Sequence, residues 1–415
     1  MRSSNQIITS VQQQSKADVS IYLICIVALS SCYGNLNTIT QMAQYIPAAG
    51  SISLALLLFV TGKVKRLQKS ATKTISAGAA ITLFALLGST ISQDVQSSLY
   101  ALVFFLTWLS LVVILQYYTM PQILRSFAYG GVVSVFLYLM LSGFKIEGAL
   151  SATGNAITIE DRSSGPYITH PNLIAHIMAV FTILCVLLAP SQKTSVKIIF
   201  YATAITAFLI ILSTSSRGGL VALVCALSIS IFITYRGNIK YLLSIFLVAI
   251  AACTYIALFQ SEYIDRLSLI MDLDSAQRGL DSGLSGRQEL WEMVFSQFFT
   301  SNIPFLWGGG FRNTWLSTYI SAVDNGYIVA IAEAGFISLL IILSRLIFVA
   351  IKSAKRLKNS PNTMDAAIVG LVAFILIESI IARYLLAIGN PASLIILILI
   401  VAGPKGYIIF KKARQ

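Results

Sequence analysis

Residues Pro171 to Leu188 read PNLIAHIMAVFTILCVLL and contain no Asp, Glu, Lys or Arg. An α-helix of this length and composition can cross a hydrocarbon core about 30 Å thick. Apolar runs of about 17 to 25 residues recur from Ile21 almost to the C-terminus. The pattern therefore predicts an all-α, polytopic integral membrane protein.

The composition excludes a soluble protein. Hydrophobic residues make up 57% of the 415 positions and charged residues only 11%, whereas soluble domains are about 25% charged. All five cysteines fall in apolar runs, which predicts neither a disulfide framework nor a cysteine metal site. They are Cys25, Cys32, Cys185, Cys225 and Cys253.

We expect about twelve spans in a single membrane domain over residues 1–415, with the first apolar run retained rather than cleaved as a signal peptide. Two longer loops interrupt the pattern, at residues 144–169 and at residues 261–323 between spans nine and ten. Loops as long as the second are usually functional. The spans begin near Ser20, Tyr45, Thr74, Ser98, Ile123, Pro171, Val196, Gly218, Tyr241, Asn325, Ala366 and Pro391.

The basic residues predict the orientation, because Lys and Arg gather on the cytoplasmic side of a membrane. When successive loops are assigned alternately to the two sides of the membrane, most of the 29 basic residues fall on one side. Both termini and this side are therefore predicted to be cytoplasmic, and both long loops are predicted to lie on the outer side. The net charge of +13 then follows from topology and requires no nucleic-acid partner.

The cations assigned to the outer side are nearly all arginines, whereas the inner set is mostly lysine. A planar guanidinium binds phosphate or carboxylate oxygens better than an ammonium does. The bias predicts an anionic ligand outside. The outer set is Lys145, Arg162, Arg217, Arg266, Arg278, Arg287, Arg312 and Arg383.

Two of these arginines lie at predicted helix starts. Arg217, in the motif TSSRGG at 214–219, opens the eighth span, and it is either an anion ligand or a snorkelling interfacial arginine. Arg287 opens an amphipathic helix in the long loop, with Leu290, Val294 and Phe298 on its apolar side. Arg287 is either an anion ligand or an exposed partner of a nearby acid, Glu289 or Asp281.

Acidic residues mark the tenth and eleventh spans. Asp324 is either the N-cap of the tenth span or a carboxylate held beside a site. Gly335 and Ser338 share its helical stripe and are expected to let a neighbouring helix pack closely. Glu333 and Glu378 lie within the membrane and require partners, which the sequence does not identify.

The remaining motifs are weaker. His170 and His176 do not share a helix face, which argues against a two-histidine metal site, and both suit interfacial or buried polar positions. The segment WGGGFR at 307–312 lacks the strand and helix of a dinucleotide-binding motif, so we interpret it as a loop turn with an adjacent cation.

The order of these motifs resembles the O-antigen ligase and polymerase superfamily, over roughly His170 to Leu340. The order is TSSRG at a span start, SGR and Trp291 in a long outer loop, a glycine-rich turn, and Asp324-Asn325 followed by Gly335. The resemblance implies a metal-independent glycosyltransferase without cofactors, in a bacterial inner membrane, whose donor is a glycan on polyprenyl pyrophosphate.

The resemblance also implies roles for individual residues. Arg217 and Arg287 match arginines thought to hold the pyrophosphate, and Asp324 stands where ligases usually have a histidine that activates the acceptor hydroxyl. We expect Asp324 to be catalytic with the two arginines, as a general base or by orienting that hydroxyl. Further substrate-binding candidates are Asn325, Arg312, Arg278, His170 and Arg162.

Because Asp324 departs from the ligase pattern, we favour a polymerase that joins lipid-linked repeat units of O-antigen, capsule or exopolysaccharide. The alternatives are a ligase that transfers glycan to a lipid A core, and a flippase. Expected partners are the lipid-linked donor glycan, an acceptor glycan (a lipid-linked repeat or lipid A core), the lipid bilayer and a chain-length regulator. A flippase should show interrupted spans with polar groups at the membrane midplane.

Overall fold

The computed structural model describes residues 20–31, 45–68, 71–146, 148, 170–235, 287–300, 304–313 and 323–412. Within these ranges every regular element is a helix, so the predicted all-α class is confirmed. The helices are α1 (Ile21–Ser31), α2 (Ile46–Val60), α3 (Thr72–Ile91), α4 (Val95–Tyr117), α5 (Met120–Leu141), α6 (Pro171–Leu188), α7 (Thr194–Ser213), α8 (Arg217–Tyr235), α9 (Arg287–Phe299), α10 (Gly326–Asn359), α11 (Thr363–Glu378) and α12 (Pro391–Lys412).

The predicted spans coincide with these helices to within three residues at each start, apart from the span beginning near Tyr241, which lies outside the described residues. In the described part of the chain, seven helices are long and apolar enough to cross a membrane, and three shorter apolar helices accompany them. The chain is therefore a polytopic membrane protein. Its orientation stays a prediction.

Helix α6, the stretch Pro171–Leu188, lies at the centre of the bundle. It is the most buried of the seven long helices and packs against α5, α7, α8 and α11. Burial on every side matches its uniformly apolar sequence, since a helix that is hydrophobic all round has no face for water.

Most loops that matter for function lie at one end of the bundle, here named the loop end. Helices α2, α4, α6, α8, α10 and α12 begin there, and α3 and α11 end there. Contacts across this end include Ser97 Oγ with Ser89 Oγ at 2.7 Å and Ser393 Oγ with Tyr384 O at 3.1 Å. The charge pattern predicts that the loop end faces outward.

Helix α10 is broken at Gly335, whose backbone angles are φ 84° and ψ 163°. Residues 304–313, here named the docking loop, fill the break. The amide of Gly309 donates to Ala332 O at 2.7 Å, and that of Gly310 donates to Glu333 O at 2.9 Å. In return, the Phe336 amide donates to Phe305 O at 2.9 Å. Backbone groups that the break frees are thus paired with protein.

This arrangement corrects the expectation for Gly335. A Cβ at this position would lie 2.1 Å from Leu306 O and 2.4 Å from Trp307 Cα. The close neighbour is therefore the docking loop and not another helix. Because Gly335 is not helical, the predicted stripe from Asp324 to Ser338 is interrupted there.

The docking loop itself turns on two glycines, as the interpretation of 307–312 as a loop turn anticipated. Gly308 and Gly310 have φ values of 75° and 101°. A Cβ on Gly308 would lie 2.6 Å from Glu333 C, and one on Gly310 would lie 2.4 Å from Ser89 Oγ. The glycines let the loop fit between the α3–α4 corner and the broken helix.

We predict that Gly335→Ala strongly destabilises the protein, because it combines a backbone conformation that is nearly exclusive to glycine with a collision against the docking loop. The cost of the conformation alone is about 1–3 kcal/mol. The measurement is thermal unfolding of the purified protein in detergent. Gly143→Ala is the matched control, since Gly143 also has positive φ (65°) but no atom within 4 Å of an added Cβ. Equal melting temperatures for the two variants would contradict the docking role.

Candidate active site

Residues 379–390 join α11 to α12 and are here named the central turn. The central turn contacts the starts of two other helices, α8 and α10. Asn325, at the start of α10, donates from Nδ2 to Ile380 O at 3.0 Å. Gly218, at the start of α8, packs so closely on Ile381 that an added methyl group would collide with that side chain. The central turn thus fixes the starts of α8 and α10, and with them the backbones of Arg217 and Asp324.

Asn325, not Asp324, is the N-cap of α10. Its Oδ1 accepts from the amides of Tyr327 at 3.0 Å and Ile328 at 3.1 Å. The alternative interpretation of Asp324 as the helix cap is therefore wrong. Asp324 is partly buried and directly precedes the cap. The amide of Asn325 is occupied by contacts that hold the fold, and its role in substrate binding stays a prediction.

Arg217 is the first residue of α8 and is partly buried. Ser215, two residues before it, adopts a left-handed conformation with φ 51°, which is rare for a residue other than glycine and concentrates at functional sites. Gly219 lies against α6, because a Cβ added to Gly219 would lie 3.1 Å from the Cβ of Ala175. His170, exposed and immediately before α6, therefore begins the helix next to that of Arg217.

Glu333 has partners that the sequence did not identify. Its Oε1 accepts from the backbone amide of Arg312 at 3.1 Å. Its carboxylate also interacts electrostatically with the guanidinium groups of Arg312 and Arg383. Arg383 lies in the central turn and was predicted only as one of the outer cations. Glu333 thus connects the docking loop to the central turn.

His176 and Glu378 form a buried pair deep at the loop end. His176 Nδ1 and Glu378 Oε2 share a hydrogen bond, and the side chains are 0% and 2% exposed. The His176 ring also packs on Tyr384 of the central turn, with 4.7 Å between ring centroids. His176 Nε2 has no hydrogen-bond partner among the described residues. The sequence placed His176 among buried polar residues but did not pair it with Glu378, 202 positions away.

The long-loop helix is present as predicted. Val294 and Phe298 of α9 are buried, and Phe298 contacts Phe305 of the docking loop with centroids 5.7 Å apart. Arg287 is the first residue of α9. The side chain of Arg287 and the candidates Arg162 and Arg278 lie outside what the structure describes.

Metal-ligating side chains are dispersed in the described residues, where no group of three or more His, Cys, Asp or Glu could hold an ion. The predicted independence from metals stays a prediction. The charged groups of the described site are guanidinium groups and carboxylates. They belong to Arg217, Arg312 and Arg383, and to Asp324 and Glu333.

Residues 202–343 match the family model described as O-antigen ligase. The match supports the O-antigen ligase and polymerase superfamily for this part of the chain, here named the superfamily region. A comparison with curated proteins found no match. The superfamily region begins within α7 and ends within α10, so it contains Arg217, Arg287, the docking loop and Asp324. His176, Glu378 and Arg383 lie outside the superfamily region but at the same end of the bundle.

We predict that His176 and Glu378 are energetically coupled. Removing either side chain alone leaves a buried polar partner unpaired, at a cost of at least about 1–3 kcal/mol. The double variant His176→Ala/Glu378→Ala should therefore cost less than the sum of His176→Ala and Glu378→Ala. Equilibrium unfolding in detergent micelles gives the three free energies. Strictly additive costs would show that the hydrogen bond contributes nothing.

Proposed function

We propose that this protein polymerises oligosaccharide repeat units carried on polyprenyl pyrophosphate, as a glycosyltransferase of the bacterial inner membrane. The observation that carries the proposal is the joint anchoring of Arg217 and Asp324 on the central turn, in a chain that contains the superfamily region. Glycan transfer from a pyrophosphate requires a cation for the leaving group and a group that activates a hydroxyl. Arg217 and Asp324 are suited to these two roles.

The pyrophosphate is assigned to Arg217 and Arg287. Each begins a helix, where the amide groups of the first turn add partial positive charge to that of the guanidinium. The negative charge on a leaving pyrophosphate increases as its bond to the sugar breaks, so the two arginines stabilise the transition state more than the bound donor. Arg278, Arg162 and His170 are proposed as further ligands of the substrate.

Asp324 is assigned to the acceptor hydroxyl. Since Asn325 caps α10, the carboxylate of Asp324 is not required for that role. It is suited to accept a proton from the attacking hydroxyl, or to orient that hydroxyl as a hydrogen-bond acceptor. Ligases usually have histidine at this position, which is why we favour transfer onto another lipid-linked repeat. Transfer to a lipid A core is the second candidate.

A flippase receives no support from the family match. Interrupted spans are expected of transporters, and α10 and α12 are both interrupted, at Gly335 and Gly403. In α10, however, the docking loop pairs the freed backbone groups. In α12, the guanidinium of Arg345 donates to Ile400 O at 2.6 Å and to Val401 O at 2.9 Å. The backbone groups that a transported substrate would bind are thus occupied by protein.

Gene deletion followed by gel analysis of surface glycan tests the proposal. We expect loss of polymer with a single repeat still attached to the core or carrier, because initiation and export remain intact. Loss of all attached glycan, with polymer left on the carrier, would identify a ligase. Accumulation of inward-facing lipid-linked repeats would identify a flippase and contradict the proposal.

Variants restored to the deletion strain test the individual roles. Arg217→Ala and Arg287→Ala should each abolish long-chain glycan, because a missing donor to the leaving group costs about 100- to 1000-fold in rate. Asp324→Asn should lower transfer, while Asn325 keeps the helix cap. Glycan ladders on gels, with the protein quantified in membranes, give the result.

Arg66→Ala is the control for these variants, since Arg66 is an exposed arginine at the opposite end of the bundle. It should leave the ladders unchanged. Normal ladders from both Arg217→Ala and Arg287→Ala would remove the pyrophosphate assignment, and normal turnover by Asp324→Asn would remove Asp324 from the reaction.

A further inference from the structure

Two tyrosines and Arg312, one of the predicted substrate-binding residues, form a cluster at the loop end. Tyr45 directly precedes α2 and Tyr100 lies in the second turn of α4. Their hydroxyls share a hydrogen bond of 2.8 Å, and their rings are nearly parallel, at 14°. The guanidinium carbon of Arg312 lies 5.1 Å from the centre of the Tyr100 ring. Both tyrosines are partly exposed and Arg312 is exposed.

Arg312 is held rigidly although its side chain is exposed. Its neighbours in the docking loop, Phe311 and Asn313, are 5% and 1% exposed. Phe311 packs on Phe104 with 5.0 Å between ring centroids. The backbone of Arg312 has φ 49°, a left-handed conformation that is uncommon outside glycine. Strain of this kind persists only where the surroundings impose it, and it concentrates at functional sites.

The charge of the cluster argues against a phosphate as its ligand. The guanidinium of Arg312 interacts with the Glu333 carboxylate and with the negative face of Tyr100. Arg312 is thus the cation of a cluster whose other two members, Tyr45 and Tyr100, present neutral hydroxyls and ring faces. A ligand of low charge that is rich in hydroxyl groups fits these surroundings better.

The hydrogen-bonding groups are those that a sugar requires. Two hydroxyls that share one hydrogen bond keep one proton for a further acceptor, and the amide of Gln96, 3.5 Å from the Tyr100 hydroxyl, is exposed beside them. A guanidinium donates to two neighbouring oxygens at once. The flat tyrosine faces suit the C–H surface of a pyranose ring.

We propose that Tyr45, Tyr100 and Arg312 form a carbohydrate subsite, here named the tyrosine subsite, which holds one sugar ring of the glycan. The inference rests on the proposed function and adds a location for the glycan. Glu333 accepts a hydrogen bond from the Arg312 amide, and its carboxylate attracts the guanidinium of Arg383 in the central turn. The tyrosine subsite and the anchoring point of Arg217 and Asp324 both lie at the loop end.

Binding of free glycan to the full-length protein in nanodiscs tests the proposal without catalysis. The probe is the repeat-unit oligosaccharide released by mild acid from the lipid-linked intermediates of the producing strain, and saturation-transfer NMR detects it. We expect binding by the wild type, and binding about tenfold weaker, or about 1.4 kcal/mol, in Tyr100→Ala. Tyr100→Phe keeps the ring and should lose less.

Tyr117→Ala is the matched control. Tyr117 lies at the opposite end of α4 and has its own cation, with Lys63 Nζ 5.3 Å from the ring centroid, so it should bind as the wild type does. If Tyr100→Ala does not yield folded protein, Tyr45→Ala tests the subsite from α2. The tyrosine subsite is overturned if the folded Tyr100→Ala or Tyr45→Ala variant binds the glycan as tightly as the wild type does. It is also overturned if Tyr117→Ala binds the glycan as weakly as Tyr100→Ala does.

A second probe identifies the source of the sugar. Core oligosaccharide from delipidated lipopolysaccharide should not bind if the subsite holds a repeat unit, and binding of the core probe alone would show that it holds a ligase acceptor. If neither probe binds, the subsite is overturned.

The subsite and the proposed function fail separately. Unchanged ladders from Arg217→Ala and Arg287→Ala reject the transferase. Glycan binding that does not depend on Tyr100 and Tyr45 rejects only the subsite.

Discussion

The pairing of backbone polar groups at the break in α10 is the constraint on which the rest of the loop end depends. In a bilayer each unpaired amide or carbonyl costs several kcal/mol, so a spanning helix can be interrupted only where other protein groups replace its lost hydrogen bonds. The docking loop does this with three backbone hydrogen bonds around Gly335. Its path is thereby determined, and the same path carries Arg312 to the α3–α4 corner.

The same constraint applies to the charged side chains. Each intramembrane acid has a partner from another part of the chain: Glu378 has His176, and Glu333 has Arg312 and Arg383. At the other end of the bundle, Arg356 and Asp365 pair at 2.6 Å between the end of α10 and the start of α11. His176 and Glu378 join helices that are 202 positions apart in sequence, whereas Arg356 and Asp365 join two consecutive helices. Removing His176 or Glu378 leaves the other side chain unpaired in a low-dielectric interior.

These pairings also give the superfamily region a defined relation to the remaining helices. Residues 202–343 provide two helix starts and the docking loop, but the central turn that aligns them lies after this region, and α6 with His176 lies before it. The arginines thus stand on a frame built by helices outside the match. Such a frame holds the start of α8, and with it Arg217, in a fixed position relative to the other helices.

Much of the fold was determined by the sequence alone, because a bilayer requires long apolar helices and their periodicity and length are local properties of the chain. The described spans, the glycine-rich turn at 307–312 and the helix in the long loop were all predicted. Arg217 and Asp324 were identified as candidates from their positions at helix starts. What only the tertiary structure decided was pairing: the partners of Glu333 and Glu378, the break at Gly335, and Asn325 as the cap. The partners of Glu378 and the break at Gly335 depend on contact between residues far apart in sequence, such as His176 and Glu378, and a local pattern contains no information about which distant group arrives. The cap of α10 is local, but Asp324 and Asn325 are both good cap residues, and only the backbone conformation decided between them.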